Sequence, residues 1–277
     1  MVLIYGIIFV SLGLIVGSFL NVVISRLGTA ESPLHGRSRC DHCGRILKWF
    51  ELIPLLSFTI QKGRCQSCRE AIAVRHLYVE LITAFLFLAI GLAVIDGRIF
   101  LPRFGADGII PDGNFFLPGL TAFIYFAFFA AAAVAISFYD LEFRLIPREF
   151  VWPLAAVGSA VLVLAAALNQ NYLLLLQGLG AGLLAFVFFW AIWFFSGGKA
   201  MGRGDADVAL AIALYLEPPA ALVGFVFAFW IGSILSLVLL ILSRLSLKSQ
   251  IPFAPFLFAG ALAALFVPAS ALVGYLF

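Results

Sequence analysis

Met201-Gly202-Arg203-Gly204-Asp205-Ala206-Asp207-Val208-Ala209-Leu210-Ala211-Ile212-Ala213-Leu214-Tyr215-Leu216-Glu217-Pro218-Pro219 combines a glycine-bearing polar turn, a short apolar stretch over 206–216 and a stop of one acid and two prolines. A helix needs about 20 apolar residues to cross a bilayer, so this stretch reads as a short or tilted helix. Whether it crosses decides how the whole chain is threaded. Windows of full length lie near 2–24, 78–95, 118–138, 150–168, 172–195, 218–242 and 253–275, which makes seven clear spans. The loops test the eighth. Residues 26–75 carry nine basic side chains (Arg26, Arg37, Arg39, Arg45, Lys48, Lys62, Arg64, Arg69 and Arg75), which by the positive-inside rule puts that loop in the cytoplasm. The pairs Arg144/Arg148, Lys199/Arg203 and Arg244/Lys248 reach the same side only if 206–216 crosses. The opposite loops, with Asp96, Arg98, Arg103, Asp107 and Asp112 and then Asn169-Gln170-Asn171, are acidic or neutral. Eight crossings with both termini outside are expected.

Composition agrees. Of 277 residues, 64% are hydrophobic and 11% charged, and the mean hydropathy of +1.13 lies outside the soluble globular range. Thirty phenylalanines and runs of Leu, Ala, Val and Ile provide lipid-facing and interhelical surface. The net charge of +3 comes without a basic helix or an aromatic-interleaved basic stripe, so nucleic acid is not an expected partner. The first apolar run is too long for a signal-peptide core and has no basic stretch before it; it reads as a retained first helix. No internal repeat stands out. The expected architecture is an all-α integral membrane protein of about eight transmembrane helices, divided into a first helix (1–25), a cytoplasmic four-cysteine domain (26–76) and a membrane-embedded domain (77–277).

All four cysteines fall in the cytoplasmic loop, as Cys40-Asp41-His42-Cys43 and Cys65-Gln66-Ser67-Cys68. Two Cys-x-x-Cys knuckles at this separation complete a tetrahedral thiolate shell, and in a reducing compartment a metal is expected rather than disulfides. Four thiolates leave no open position for water, so a structural Zn²⁺ ordering a loop too small for much core is the reading, not a catalytic one. His42 reads as a surface residue.

With so few acidic residues, each one needs a reason. Asp140 ends an apolar helix in Ile136-Ser137-Phe138-Tyr139-Asp140-Leu141-Glu142-Phe143-Arg144-Leu145-Ile146-Pro147, and Asp205 follows Gly202 and Gly204, glycines that let the backbone approach another chain closely. The topology puts both on the cytoplasmic side, at the ends of different helices. Paired carboxylates cannot both ionise cheaply, so one holds a proton while the other activates a water, the chemistry of aspartic proteolysis. Taken singly, each is as well read as a helix cap or a solvated charge. Asp207 and Glu142 read as supporting groups or loop charges. Glu80, one turn into the second span, is expected to pair with a basic residue or to mark a polar cavity, and Glu217 is a solvated helix-end charge.

At this point the chain resembles the type IV prepilin peptidase family of GxGD aspartic peptidases. The resemblance rests on Gly17-Ser18-Phe19-Leu20-Asn21-Val22-Val23, Arg37-Ser38-Arg39-Cys40 through Cys43, Trp49, Ile53-Pro54-Leu55-Leu56-Ser57, Gly63-Arg64-Cys65 through Cys68 and Val79-Glu80-Leu81. It continues through Asp140 with its spacing to Pro147, Gly202-Arg203-Gly204-Asp205 as the GxGD motif, and Pro252-Phe253-Ala254-Pro255-Phe256. The resemblance implies catalysis by Asp140 and Asp205, with Gly202, Gly204 and Pro147 in the active-site loops. The substrates it implies are the prepilins of type IV pili and the pseudopilins of type II secretion, cut after a glycine at the cytoplasmic face of a bacterial inner membrane. Many members then methylate the new N-terminus from S-adenosylmethionine, and the long cysteine loop resembles that of bifunctional members. The chain departs from the family pattern at Arg148, commonly Asp or Asn, and at Asp207, commonly Lys.

Four other readings compete. A peptidase without methyl transfer would keep every motif. A proton- or ion-coupled transporter would favour carboxylates near the midplane rather than at the edge. A scaffold docking partners through the zinc loop leaves the GxGD turn unexplained, and an intramembrane protease of the presenilin type lacks the cysteine module.

Overall fold

In the computed structural model, residues 2–27, 29, 32, 35–40, 42–99, 101, 116–242 and 251–267 are described. The expectations for Asp41, Arg103, Asp107, Asp112, Arg244, Lys248, both termini and the end of the last apolar window (268–275) lie outside these residues. The described chain is helical, without strands, and falls into two compact units, Met1–Leu92 and Ala93–Phe277.

The first unit is built on α1 (Val2–Arg26) and α3 (Arg75–Ile95), joined by a polar loop that holds a 3₁₀ turn (Trp49–Leu52) and the short α2 (Leu56–Ile60). Glycines set how closely the two long helices pack. A Cβ on Gly13 would stand 2.5 Å from the Cα of Ala84, and one on Gly17 would stand 2.8 Å from the Cα of Glu80. Small residues four apart on one helix face allow this contact where lipid supplies no hydrophobic drive. The start of the loop is gathered by Arg26, at the end of α1, whose guanidinium donates to the carbonyls of Ser32, His35 and Arg37 at 3.1, 3.0 and 2.9 Å.

The second unit contains α4 (Phe116–Phe143), α5 (Arg148–Leu168), α6 (Tyr172–Ser196), α7 (Gly204–Tyr215), α8 (Pro218–Ile241) and α9 (Ala254–Leu265). Beyond the aspartates of its first turn α7 is apolar on every side, and it is buried along most of its length, with Asp207 and Leu210 half-buried. A helix with no polar face survives only inside other protein or lipid. Glycines again permit the contacts: a Cβ on Gly158 of α5 would meet the Cα of Tyr215 at 2.8 Å, and Gly182 of α6 faces Leu214. α4 and α7 are tied at one end by stacked Tyr125 and Tyr215 rings, 3.9 Å between centroids. Each hydroxyl donates to the other residue's carbonyl, that of Tyr125 at 2.6 Å. α6 and α8 form the periphery, with large apolar side chains such as Leu184, Phe188, Trp230 and Ile234 on the outside, where lipid is the matching solvent.

Among the described residues six helices, α1, α3, α4, α5, α6 and α8, are long and apolar enough to cross a membrane, and the protein is a multi-pass membrane protein. α7, the expected eighth crossing, has 12 residues, about 18 Å at 1.5 Å per residue. α9 also has 12 described residues, ending at Leu265 within the window expected over 253–275. α7 can be short because its apolar surface is covered by neighbouring helices rather than matched to the bilayer.

Candidate active site and metal centre

α4 runs past its apolar window, so Asp140 lies in its last turn. The helix stops at Arg144, whose positive φ of 53° is the left-handed conformation that ends helices and whose N–H donates to the Asp140 carbonyl at 2.8 Å. Pro147 then keeps Ile146 out of helical geometry and caps α5. Asp205 lies in the first turn of α7.

The two carboxylates come together from these ends. Asp140 is 5% exposed and Asp205 3%, and they interact electrostatically with each other. Each faces a helix N-terminus. The Asp140 carboxylate accepts the N–H of Ala254, the first residue of α9. Asp205 Oδ2 accepts the N–H of Gly202 at 2.9 Å, and its Oδ1 is buried with no hydrogen-bond partner. Helix N-termini favour negative charge, so one ionised carboxylate of the pair is stabilised in a site where two would repel.

The glycines divide their work. A Cβ on Gly204 would stand 2.9 Å from the Cβ of Ile146, so this glycine brings the α7 turn against the α4–α5 loop; a Cβ on Gly202 would meet only Asp205's own Oδ2, at 3.4 Å. Close approach to another segment, expected of both, belongs to Gly204 alone. Asp207, two residues on, is turned about 200° around the helix from Asp205 at 100° per residue. Glu142 and Arg148 are exposed.

Three contributors were missed in the sequence. The Ala254 amide is a backbone group, and its only signal was the prolines flanking it. Ile146 and the Tyr125–Tyr215 clamp carry no signal, because what matters is the partner and not the residue type.

The four cysteines converge. Their sulfurs all lie within 4.8 Å of one another, with Cys40 and Cys68 at 3.8 Å, close to the edge of about 3.8 Å of a tetrahedron with 2.3 Å metal–sulfur bonds. The two knuckles are copies. Cys40 N–H donates to Arg45 O and Gly44 N–H to Cys40 O; in the second, Cys65 N–H donates to Glu70 O and Arg69 N–H to Cys65 O. The bridges Arg39 to Ile46 and Arg64 to Ala71 close them equivalently, and Gly44 and Arg69 both take positive φ, 69° and 61°. A local repeat therefore exists where none was expected. It is carried by backbone geometry, and in the letters only the Arg-Cys-x-x-Cys of Arg39–Cys43 and Arg64–Cys68 shows it. The amides of Cys68 and Ser67 pull the Cys65 thiol down to about 6, while burial and the neighbouring cysteine sulfurs push Cys68 up to about 11, so the four thiols share fewer than four ionised sulfurs until a cation joins them. Arg45 forks onto Glu51 at 2.6 and 3.1 Å and holds that carboxyl below the usual range, pinning the 3₁₀ turn to the first knuckle. His42 is exposed, as expected.

Glu80 is 8% exposed. Its recorded partners among the described residues are the Leu55 N–H, at 2.8 Å, and the Ser18 side chain. Of the two expectations for Glu80 the polar cavity is the one met: it lines a cavity with Ser18 and Asn21, and its donors are neutral.

The profile of the bacterial peptidase A24 N-terminal domain matches residues 11–94, and that of the type IV leader peptidase family matches residues 127–240. A prepilin leader peptidase/N-methyltransferase of Bacillus subtilis is 32% identical over 253 residues, 91% of this chain and 90% of the relative. The chain belongs to the type IV leader peptidase family. A relative of the same name from Myxococcus xanthus is 32% identical over 83% of the chain, which spans 62% of that protein's length, and one from Aeromonas hydrophila is 28% identical over 88% of the chain and 84% of the relative. The family match over 127–240 contains both aspartates, and the N-terminal match contains all four cysteines. No solved structure matches significantly.

Proposed function

We propose that this protein removes the leader peptide of type IV prepilins or type II secretion pseudopilins, cutting after a glycine at the cytoplasmic face of a bacterial inner membrane, and then methylates the new N-terminus. The observation that carries the reading is the buried pair Asp140 and Asp205, delivered by the ends of two different helices, with Asp205 Oδ1 free of protein partners. The ionised member takes a proton from water as the water oxygen attacks the scissile carbonyl. The protonated member gives its proton to the carbonyl oxygen. Collapse of the tetrahedral intermediate breaks the C–N bond, and the leaving amine takes up a proton from the pair. Gly202 and Gly204 hold the α7 turn, and Pro147 shapes the facing loop.

The names of the relatives support the methyl-transfer half, in which S-adenosylmethionine supplies the methyl group. Cys40, Cys43, Cys65 and Cys68 would hold a structural Zn²⁺, as the gathering of all four sulfurs within 4.8 Å of one another favours. The nine basic residues of 26–75 support a cytoplasmic loop domain over 26–76, with the membrane-embedded peptidase over 77–277. The pairs Arg144/Arg148, Lys199/Arg203 and Arg244/Lys248 support eight crossings, with α7 as the short one, since only then do they share that side.

Mass spectrometry of a purified prepilin incubated with the full-length protein, with and without S-adenosylmethionine, tests this. Wild type should release the leader and add one methyl group only with the donor, and Asp140→Asn or Asp205→Asn should each lower cleavage by at least about 10³-fold. Cleavage without the methyl increment leaves a peptidase alone. Undiminished cleavage by both variants removes the aspartates from the mechanism.

A further inference from the structure

Within the polar loop of the first unit, Trp49 and Ile60 are 77% and 69% exposed. Both belong to one short run, the 3₁₀ turn Trp49–Leu52 followed by α2 (Leu56–Ile60), in which Phe50, Leu52, Leu55 and Leu56 are exposed as well. Exposed apolar side chains scattered singly are ordinary, but a run of them marks an interaction surface.

The point at which the run is tied down shows which surface it meets. Between the 3₁₀ turn and α2, the Leu55 N–H donates to Glu80 Oε2 at 2.8 Å. Glu80 stands one turn into α3, about 7.5 Å along its axis, and its Cα lies against Gly17 of α1. Both helices are long and apolar enough to cross a membrane. The run is therefore fastened alongside the ends of two spans, at a depth where exposed tryptophan and leucine meet headgroups and upper acyl chains rather than bulk water.

Charge points the same way. From Gly44 to Arg69 the only acid is Glu51, whose side chain is 0% exposed beneath the Arg45 guanidinium. The exposed charges of that stretch are Lys48, Lys62, Arg64 and Arg69, all basic, and the next exposed acid is Glu70 on the second knuckle. Lys48 and Lys62 bracket the apolar run. Lys48 lies over the Phe50 ring, 5.8 Å from its centroid, and the Trp49 ring meets that of Phe50 edge to face at 5.9 Å, so base and aromatics share one edge. Apolar side chains with basic flanks and no outward acid suit the interface of an anionic bilayer, where the hydrocarbon takes the former and the phosphates the latter.

We propose that the 3₁₀ turn and α2 lie in the interface of an anionic phospholipid membrane, with Trp49, Leu56 and Ile60 among the headgroups and upper acyl chains and Lys48 and Lys62 at the phosphates. Lipid then holds the cysteine module against the membrane surface. The proposal goes beyond the proposed function and depends on neither of its activities.

The test is photocrosslinking of the full-length protein in vesicles of phosphatidylcholine, alone or with phosphatidylglycerol added, with benzoylphenylalanine in place of Trp49, Leu56 or Ile60 and the adducts identified by mass spectrometry. All three side chains are exposed, so their replacement leaves the core untouched, and Phe85, exposed on α3, takes the same label as the control for a side chain facing lipid. Phospholipid adducts are expected at all three positions, in a yield that rises about threefold or more with phosphatidylglycerol and loses that rise when Lys48→Gln is combined with Lys62→Gln. Adducts to another segment of the chain, or to a prepilin reconstituted with it, in place of lipid would show a protein occupant and overturn the proposal. It is equally overturned if the three positions give no lipid adduct while Phe85 does, or if the yields respond neither to phosphatidylglycerol nor to the two lysines.

Discussion

Between Gly204 and Ile146 there is no room for a methyl group, since the added Cβ would stand 2.9 Å from Ile146 Cβ. Overpacking of this kind costs about 1–3 kcal/mol, and here it would push Asp205 away from Asp140. Gly204→Ala should therefore lower prepilin cleavage by about tenfold or more, whereas Gly202→Ala, whose methyl meets only Asp205 Oδ2 at 3.4 Å, should stay within about threefold; initial cleavage rates of the two variants side by side check this. Equal losses would mean that the turn's own conformation, and not its contact with the α4–α5 loop, is what the motif preserves. Both aspartates were legible in the sequence, because a carboxylate at the end of an apolar helix is conspicuous. The difference between the glycines was not, because it depends on a neighbour about sixty positions away in the chain.

At the scale of helices, α9 is held against α8 through glycine. A Cβ on Gly260 would lie 2.2 Å from Gly224 O and 2.5 Å from Ala228 N, contacts with backbone that cannot rotate away. Gly260→Val should move α9 outward and take the Ala254 amide from Asp140. The expected outcome is a lower melting temperature in detergent and cleavage reduced by about tenfold or more. Gly180→Val, on an exposed face of α6 with nothing within 4 Å, should leave both unchanged. Hydropathy made the long helices legible, but the ends of α7 and α9 were not. Their 12 residues are fewer than the roughly 20 that a hydropathy window looks for, and protein contacts replace the lipid on which the hydropathy argument rests.

At the scale of the whole molecule, the cysteine loop and the helices of the second unit draw on different sources of order. Between Ser38 and Ile72 the described loop has only the 3₁₀ turn and five residues of α2 as regular structure, so four metal–thiolate bonds would supply most of its stability. Chelation with a zinc-binding agent, or Cys43→Ser, should open new proteolytic cuts within 38–72 while circular dichroism keeps nearly all of its helical signal. A protease pattern unchanged after verified metal removal would show that the Arg45–Glu51 fork and the paired knuckle bridges suffice. By itself, the sequence determined the membrane class, the long spans, the four-cysteine cluster and the two aspartates, because bilayer burial and thiolate ligation depend on residue type and local spacing. Only the tertiary structure decided that the Ala254 amide caps Asp140, that Gly204 sits on Ile146, that Glu80 meets neutral donors rather than a base, and that Asn21 of α1 reaches the His76 carbonyl at the start of α3. Those are relations between residues far apart in the chain, set by how closely glycine lets helices approach, and no local pattern encodes the partner.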